Sequence, residues 1–140
     1  MRKLSIFLIS IILVSCGAKK QVSSNQLCEI LIEKNDGGAS IKFYETLSES
    51  KEIQMLLNDK SLKGKVIKSD IEICNFVILN MGEKPTGKYK TEIEKVEETE
   101  TKIIIHIKET VIEKTVDPDY EFSNPFAILK INSKKEIVFE

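Results

Sequence analysis

Tryptophan is absent from this chain, and three tyrosines and six phenylalanines are its only other large aromatics. That is too little ring surface for the stacking platform a glycan or small-ligand site leans on. Histidine occurs once, as His106, and no CxxC, HxxxH or HExxH spacing is present. A zinc site drawing three or four ligands from cysteine, histidine and carboxylate is therefore not spelled out. There is no G-x-S-x-G elbow and no phosphate-cradling glycine loop ahead of a helix. A single-signed charge excess is missing too, since 21 basic side chains meet 22 acidic ones. Nucleic acid asks for a concentrated basic face, so it is not an expected partner. Cys28 and Cys74 sit in apolar runs that disfavour a thiolate, which leaves a Cys-His nucleophile pair without support. Glu92, Glu94, Glu97, Glu98 and Glu100 cluster, but alternate with lysines as a solvated face does. These absences point to a binding or assembly role rather than to an enzyme, with no cofactor and no metal.

What is present begins at the N-terminus. Arg2 and Lys3 precede an apolar run from Leu4 to Val14, followed by "LVSC", the order of a secretory signal. The run is about half of the roughly 20 residues a membrane-spanning helix needs. Leu13, Val14, Ser15 and Cys16 resemble the lipobox of bacterial lipoproteins, and the resemblance implies that Cys16 becomes an acylated N-terminus bearing palmitate-type chains. Several chains are needed for stable anchoring, because each buried CH₂ contributes only about 0.8 kcal/mol. The other reading is an ordinary secreted protein with a coincidental cysteine. On the lipoprotein reading residues 1–15 are a signal peptide, 16–26 a lipid-anchored flexible tether, and 27–140 a single β domain. The location is then the bacterial cell envelope, at the outer membrane or the periplasmic face, with the membrane met through the lipid on Cys16. Loss of residues 1–15 takes the 21 basic side chains to 19 against 22 acidic, a formal charge of about −3.

Period and turn chemistry set the expected elements. "LCEILIEK" alternates, with Cys28, Ile30 and Ile32 on one face, and Asn35-Asp36-Gly37-Gly38 is turn chemistry that sends "SIKFYET" back as its hairpin partner. "LSESKEIQMLLNDK" changes to helical spacing at Ile53, Leu56 and Leu57, with Ser48 as N-cap and Glu49 and Glu52 at the dipole's positive end. Ile71 to Met81 is apolar on both parities, as in a central strand covered on both faces. After Gly82 to Tyr89, "KYKTEIEKV" places Tyr89, Thr91 and Ile93 opposite Lys88, Lys90, Glu92 and Glu94. "TKIIIHIKE" places Ile103, Ile105 and Ile107 on one face. "FAILKI", a turn at "NSKK" and "EIVF" finish the chain. The sum is a mainly β, α+β domain: an antiparallel sheet of about seven strands curled into a sandwich or partial barrel, with one short helix. Cys28 and Cys74 leave two readings open, a disulfide closing a long loop or two buried, unpaired thiols.

"GEKPTGKY" supplies Gly82, Lys84, Pro85, Thr86, Gly87 and Tyr89, and "IIIHIKE" and Pro125-Phe126 before "AILKI" follow it. From Phe76 through Ile131 this resembles the C-terminal domain of the protease complex subunit PrcB family, small exported bacterial proteins that often are lipoproteins. The family has a second glycine where this chain has Lys88, a costly change if the backbone there needs positive φ. The resemblance implies a non-enzymatic accessory or stabilising subunit that binds a protease or another envelope protein. Lys84, Pro85, Thr86, Gly87, Tyr89, Pro125 and Phe126 are the candidate contact residues, at loops on one end of the domain. Lys84-Pro85-Thr86-Gly87 reads as a type I turn. It is also faintly similar to the wedge loop of chagasin-type cysteine protease inhibitors, which makes direct protease inhibition through Gly82 to Tyr89 the alternative, followed by a small-ligand-binding lipoprotein.

Overall fold

The isoleucine alternation in the second half of the chain builds the longest pair of strands among the described residues. A computed structural model describes residues 20–21, 24–85, 87–114 and 122–140. In chain order the elements are β1 (Lys20–Gln21), α1 (Ser24–Leu27), β2 (Cys28–Lys34), β3 (Lys42–Leu47), α2 (Ser50–Leu57), a 3₁₀ turn (Lys60–Leu62), α3 (Asp70–Ile73), β4 (Asn75–Met81), β5 (Lys84–Pro85), β6 (Gly87–Glu98), β7 (Lys102–Lys114), β8 (Phe122–Ser123), β9 (Phe126–Ile131) and β10 (Glu136–Phe139). Two four-stranded sheets face each other, in the orders β1-β6-β7-β10 and β2-β9-β4-β3, with β5 and β8 as a small extra pair. The result is a sandwich-like α+β fold that does not close into a barrel among the described residues. No helix among them is long and apolar enough to cross a membrane.

Ile103 and Ile105 are fully buried between the sheets and Ile107 packs beside them, as the alternation predicts. On β6 the pattern holds through Tyr89, Thr91 and Ile93. A register shift between Ile93 and Lys95 then moves the inward position to Val96, which is 1% exposed. A similar irregularity between Ile30 and Ile32 splits the face read for β2. Cys28 and Ile30 turn to the inter-sheet core, whereas Leu31 and Ile32 turn to the helix side.

The second sheet departs from the expected neighbour pairing. β2 and β3 are not a hairpin: β2 pairs with β9 and β3 with β4, so they form opposite edges of one sheet. The apolar residues on both parities of β4 and β9 require cover on both faces and strands on both sides, and the half-polar β2 and β3 serve as the flanks. β10 runs parallel to β7, the one parallel pairing among otherwise antiparallel ladders of the described residues. "NSKK" therefore carries the chain across from one sheet to the other.

α2 lies over the outer face of this sheet, burying Ile53 and Leu56 against Phe76, Leu47 and Ile128. Its N-cap is Glu49, not Ser48, because the Glu52 carboxylate turns back to accept the amides of both Ser48 and Glu49 at 3.0 Å. The strand predicted from Ile71 starts at Asn75. Ahead of it, buried Asp70 accepts the Ile67 amide at 2.9 Å and pairs with the Lys130 ammonium at 2.8 Å, which holds residues 70–73 as a helical turn. Burial raises the Asp70 pKa, but Lys130 and the Ile67 amide outweigh it and the net shift is downward.

Cys28 and Cys74 are both unpaired and buried. Cys28 belongs to the core between the sheets and Cys74 to the core beneath α2, on opposite faces of one sheet, so the bridge left open by the sequence does not form. Burial pushes the Cys28 thiol up to about 12. Lys20–Gln21, inside the stretch read as a tether, is built into the domain as a strand paired with Glu97 and Glu98.

Candidate functional site

Three loops meet at one end of the sandwich, 35–41, 82–87 and 122–126. Gly82 turns the chain out of β4 at φ +75°, and an added Cβ there would sit 2.8 Å from the Lys42 amide nitrogen. Lys84 and Pro85 then do not open a type I turn. They form β5, in antiparallel register with Ser123 and Phe122 of β8. Proline is tolerated there because an edge strand leaves its missing N–H unneeded. Thr86 lies outside the described residues. Lys88 has no positive φ: it is an ordinary β6 residue opposite Glu113, with which it makes an ion pair at 2.8 Å. The lysine in place of the family's glycine thus carries no backbone strain.

The frame beneath these loops is made by residues whose role the sequence did not reveal. Asn80, 1% exposed in β4, accepts the Ala39 amide at 2.8 Å and donates to the carbonyls of Ala39 and Ile41 at 2.7 and 2.6 Å. The Gly38 amide donates to the Asn124 carbonyl at 2.8 Å, and the Asn124 amide to Asp36 Oδ1 at 3.0 Å. A side chain at Gly38 would place its Cβ 2.2 Å from Asn80 Oδ1. Backbone bonds from Glu83 to Ser40 and from Met81 to Pro125, both 2.9 Å, complete the lacing. The available signal was a polar asparagine in the middle of a doubly buried strand, which demands a partner because an unpaired buried amide is costly.

Tyr89 and Pro125 belong to this frame rather than to the accessible surface. Both are buried; the Tyr89 hydroxyl donates to the Pro85 carbonyl, and its amide donates to Asn35 Oδ1 at 2.8 Å. Gly87 and Phe126 are half-buried. The outward groups are Pro85, Phe122 at 55% exposure and Ile41 at 76%, with Phe43 at the rim and Lys84 partly exposed. Beside them Glu109 of β7 binds Lys42 at 2.7 Å, Lys84 at 3.6 Å and the Tyr44 hydroxyl at 3.0 Å, stitching the two sheets to β5. Burial tends to raise the Glu109 pKa, yet Lys42 and Tyr44 hold the carboxyl below its ordinary range.

The loop end thus turns Ile41, Pro85 and Phe122 outward beside Lys42 and Lys84, on a tightly bonded base. His106 lies elsewhere, half-buried on β7 with Glu97 at 3.9 Å and Glu140 at 3.8 Å. Glu92, Glu94, Glu97 and Glu98 of the acidic cluster each pair with a lysine, as in Glu94 to Lys108 at 3.5 Å and Glu98 to Lys135 at 2.7 Å. Among the described residues no group of three or more histidine, cysteine or acidic side chains could hold a metal ion. Cys16 lies outside the described residues. No curated protein and no solved structure matches the chain. Residues 75–132, from the first residue of β4 to the residue after β9 and including the whole 82–89 loop, match the family model described as PrcB C-terminal, and it is to that domain that this part of the chain is similar.

Proposed function

We propose that this is a non-enzymatic lipoprotein of the bacterial cell envelope that serves as an accessory or stabilising subunit, docking a protease or another envelope protein on its loop end. The observation that carries this reading is the exposed set Ile41, Pro85 and Phe122 on a hydrogen-bonded frame, within or beside the segment similar to PrcB C-terminal. Frames of this kind favour binding because little conformational freedom is lost on docking. Aromatic and apolar anchors with a charged neighbour are typical of the energetic centre of protein interfaces.

The anchor geometry supports it too. β1 pairs at Glu97–Glu98, and β6 runs from there to Gly87 at the loop end. At about 3.3 Å per residue the two ends of that strand are roughly 35 Å apart. A lipid on Cys16, four residues before Lys20, holds the β1 end to the membrane and turns the loop end toward other envelope components.

The test is affinity capture from envelope extracts with the full chain and with a Pro85→Asp, Phe122→Asp variant. A peptidase recovered reproducibly by the first and lost by the second supports the reading. Equal recovery by both, or none above background, counts against it. Mass spectrometry of the purified protein checks the acyl chains on Cys16, and Cys16→Ala is expected to move the protein out of the membrane fraction.

A further inference from the structure

Away from the loop end, edge strand β2 faces the part of β6 that β1 does not cover. Near the top of this side the gap is sealed by side chains: Asn35 Oδ1 accepts the Tyr89 amide at 2.8 Å and the Glu33 carboxylate accepts the Thr91 amide. A few residues lower no described residue seals it, and a cleft of about 630 Å³ opens between Cys28–Ile30 and Lys90–Glu94.

The ladder shows what this cleft offers. Ile107 donates its amide to Glu140 and Ile105 accepts from Glu140 on the far side of β7, so Ile93, paired with Ile107, turns its own N–H and C=O away from β7 and toward the cleft. No strand pairs with that stretch of β6 among the described residues. The Thr91 hydroxyl, on a residue 1% exposed that lines the cleft, has no hydrogen-bond partner. Two residues past the bulge, the same edge already accepts an antiparallel strand, β1. The apolar floor of Ile30 and Ile93 is rimmed by Glu29, Glu92 and Glu94; Lys90 leans on Glu92 at 3.3 Å and Lys108, from β7, on Glu94 at 3.5 Å. Glu29 has no ion pair among the described residues.

We infer that this cleft is a second binding site, which takes an extended peptide segment of a partner protein by strand addition to β6 at Ile93, below the capped Thr91 amide, with basic side chains of the peptide facing Glu29 and Glu94. Main-chain hydrogen bonds to a free sheet edge supply affinity in such modes, and alternate side chains supply selection. The site is separate from the loop end and does not depend on it.

The test uses ¹⁵N-labelled protein from residue 16 onward with Cys16→Ser, which contains every described residue. The probe is a seven-residue peptide alternating valine or threonine with lysine. Saturable amide shifts at Ile30, Thr91 and Ile93 are expected. Methylating alternate peptide nitrogens should weaken binding about tenfold or more, since each lost main-chain bond is worth on the order of 1 kcal/mol. Glutamate in place of lysine should abolish it. Glu29→Lys, at an exposed residue with no ion pair among the described residues and expected to leave the melting temperature unchanged, should weaken the lysine peptide about tenfold. Thr91→Val should lower peptide affinity while raising the melting temperature, whereas a hydroxyl that is only a packing defect would give the second effect without the first. Absence of cleft shifts at millimolar peptide, equal binding by the methylated peptide, or the same shifts produced by raising protein concentration alone would overturn the proposal, the last by making a second copy of this chain the occupant.

Discussion

The loop end and the β2/β6 side are both places where the two sheets must be closed, and they are closed by different means. At the loop end Asn80 and the backbones of Gly38, Asn124, Glu83 and Met81 knit three loops together. Along the side, two side chains, Glu33 and Asn35, do the work of a missing strand, and where they stop the sandwich stands open. The difference is one of reach. A buried amide aimed at backbone groups can satisfy several at once, whereas an edge cap satisfies one N–H and leaves the next exposed.

That contrast can be broken most severely at Gly38. A Gly38→Val variant must displace both Asn80 Oδ1 and the Asn124 carbonyl, the latter 2.8 Å from the new Cβ. It should lose roughly 3 kcal/mol or more in denaturant unfolding, at the upper end for a single substitution. Asn80→Leu keeps the volume but strips three hydrogen bonds from Ala39 and Ile41. The expected loss is about 3 kcal/mol, with amide exchange accelerated in residues 39–41 and unchanged in β7.

On the open side a smaller effect is expected. Glu33→Ala uncaps the Thr91 amide, at a cost of about 1 kcal/mol, and should lengthen the cleft toward the loop end, visible as faster exchange of the Thr91 amide alone. The smallest effect is read by pH. Glu109 is held below its ordinary range, so its share of stability is present above the unfolded carboxylate value of about 4.3 and is lost as pH falls through the lower folded value. The gap in stability between the native protein and Glu109→Gln should therefore be constant above about pH 5 and narrow below pH 4. A gap that stays constant down to acid unfolding would show that the carboxylate's charge is not what joins Lys42, Tyr44 and Lys84.

Much of the scaffold was legible because it rests on local period. The isoleucines of β7, the doubly apolar β4 and the stripe of α2 each declare their faces in a few consecutive residues. What escaped is long-range. Nothing in "LCEILIEK" or "SIKFYET" says that β9 and β4 will come between them, since those strands lie up to about a hundred positions away. The shifts at Ile30 and Ile93 break an alternation that continues unbroken on paper. At the loop end the motif mixes framework with surface: Tyr89 is spent on Pro85 and Asn35, whereas Pro85 faces outward, as do Phe122 and Ile41. Nothing local to "GEKPTGKY" separates the two, because Asn35 lies 54 positions from Tyr89.

The β6–β7 hairpin has a further bearing on how the molecule comes together in time. Its strands are joined across residues 99–101, and Thr99 already clasps Lys102 through its hydroxyl and backbone. Hairpins of this kind form in microseconds, whereas β2 must be drawn across from Cys28 to Ile131 before it can join the opposing sheet. The early hairpin therefore waits with its β6 edge bare, and Glu33 and Asn35 arrive only when the slow sheet docks, so the interval before that docking is when the chain is most open to joining the wrong strand.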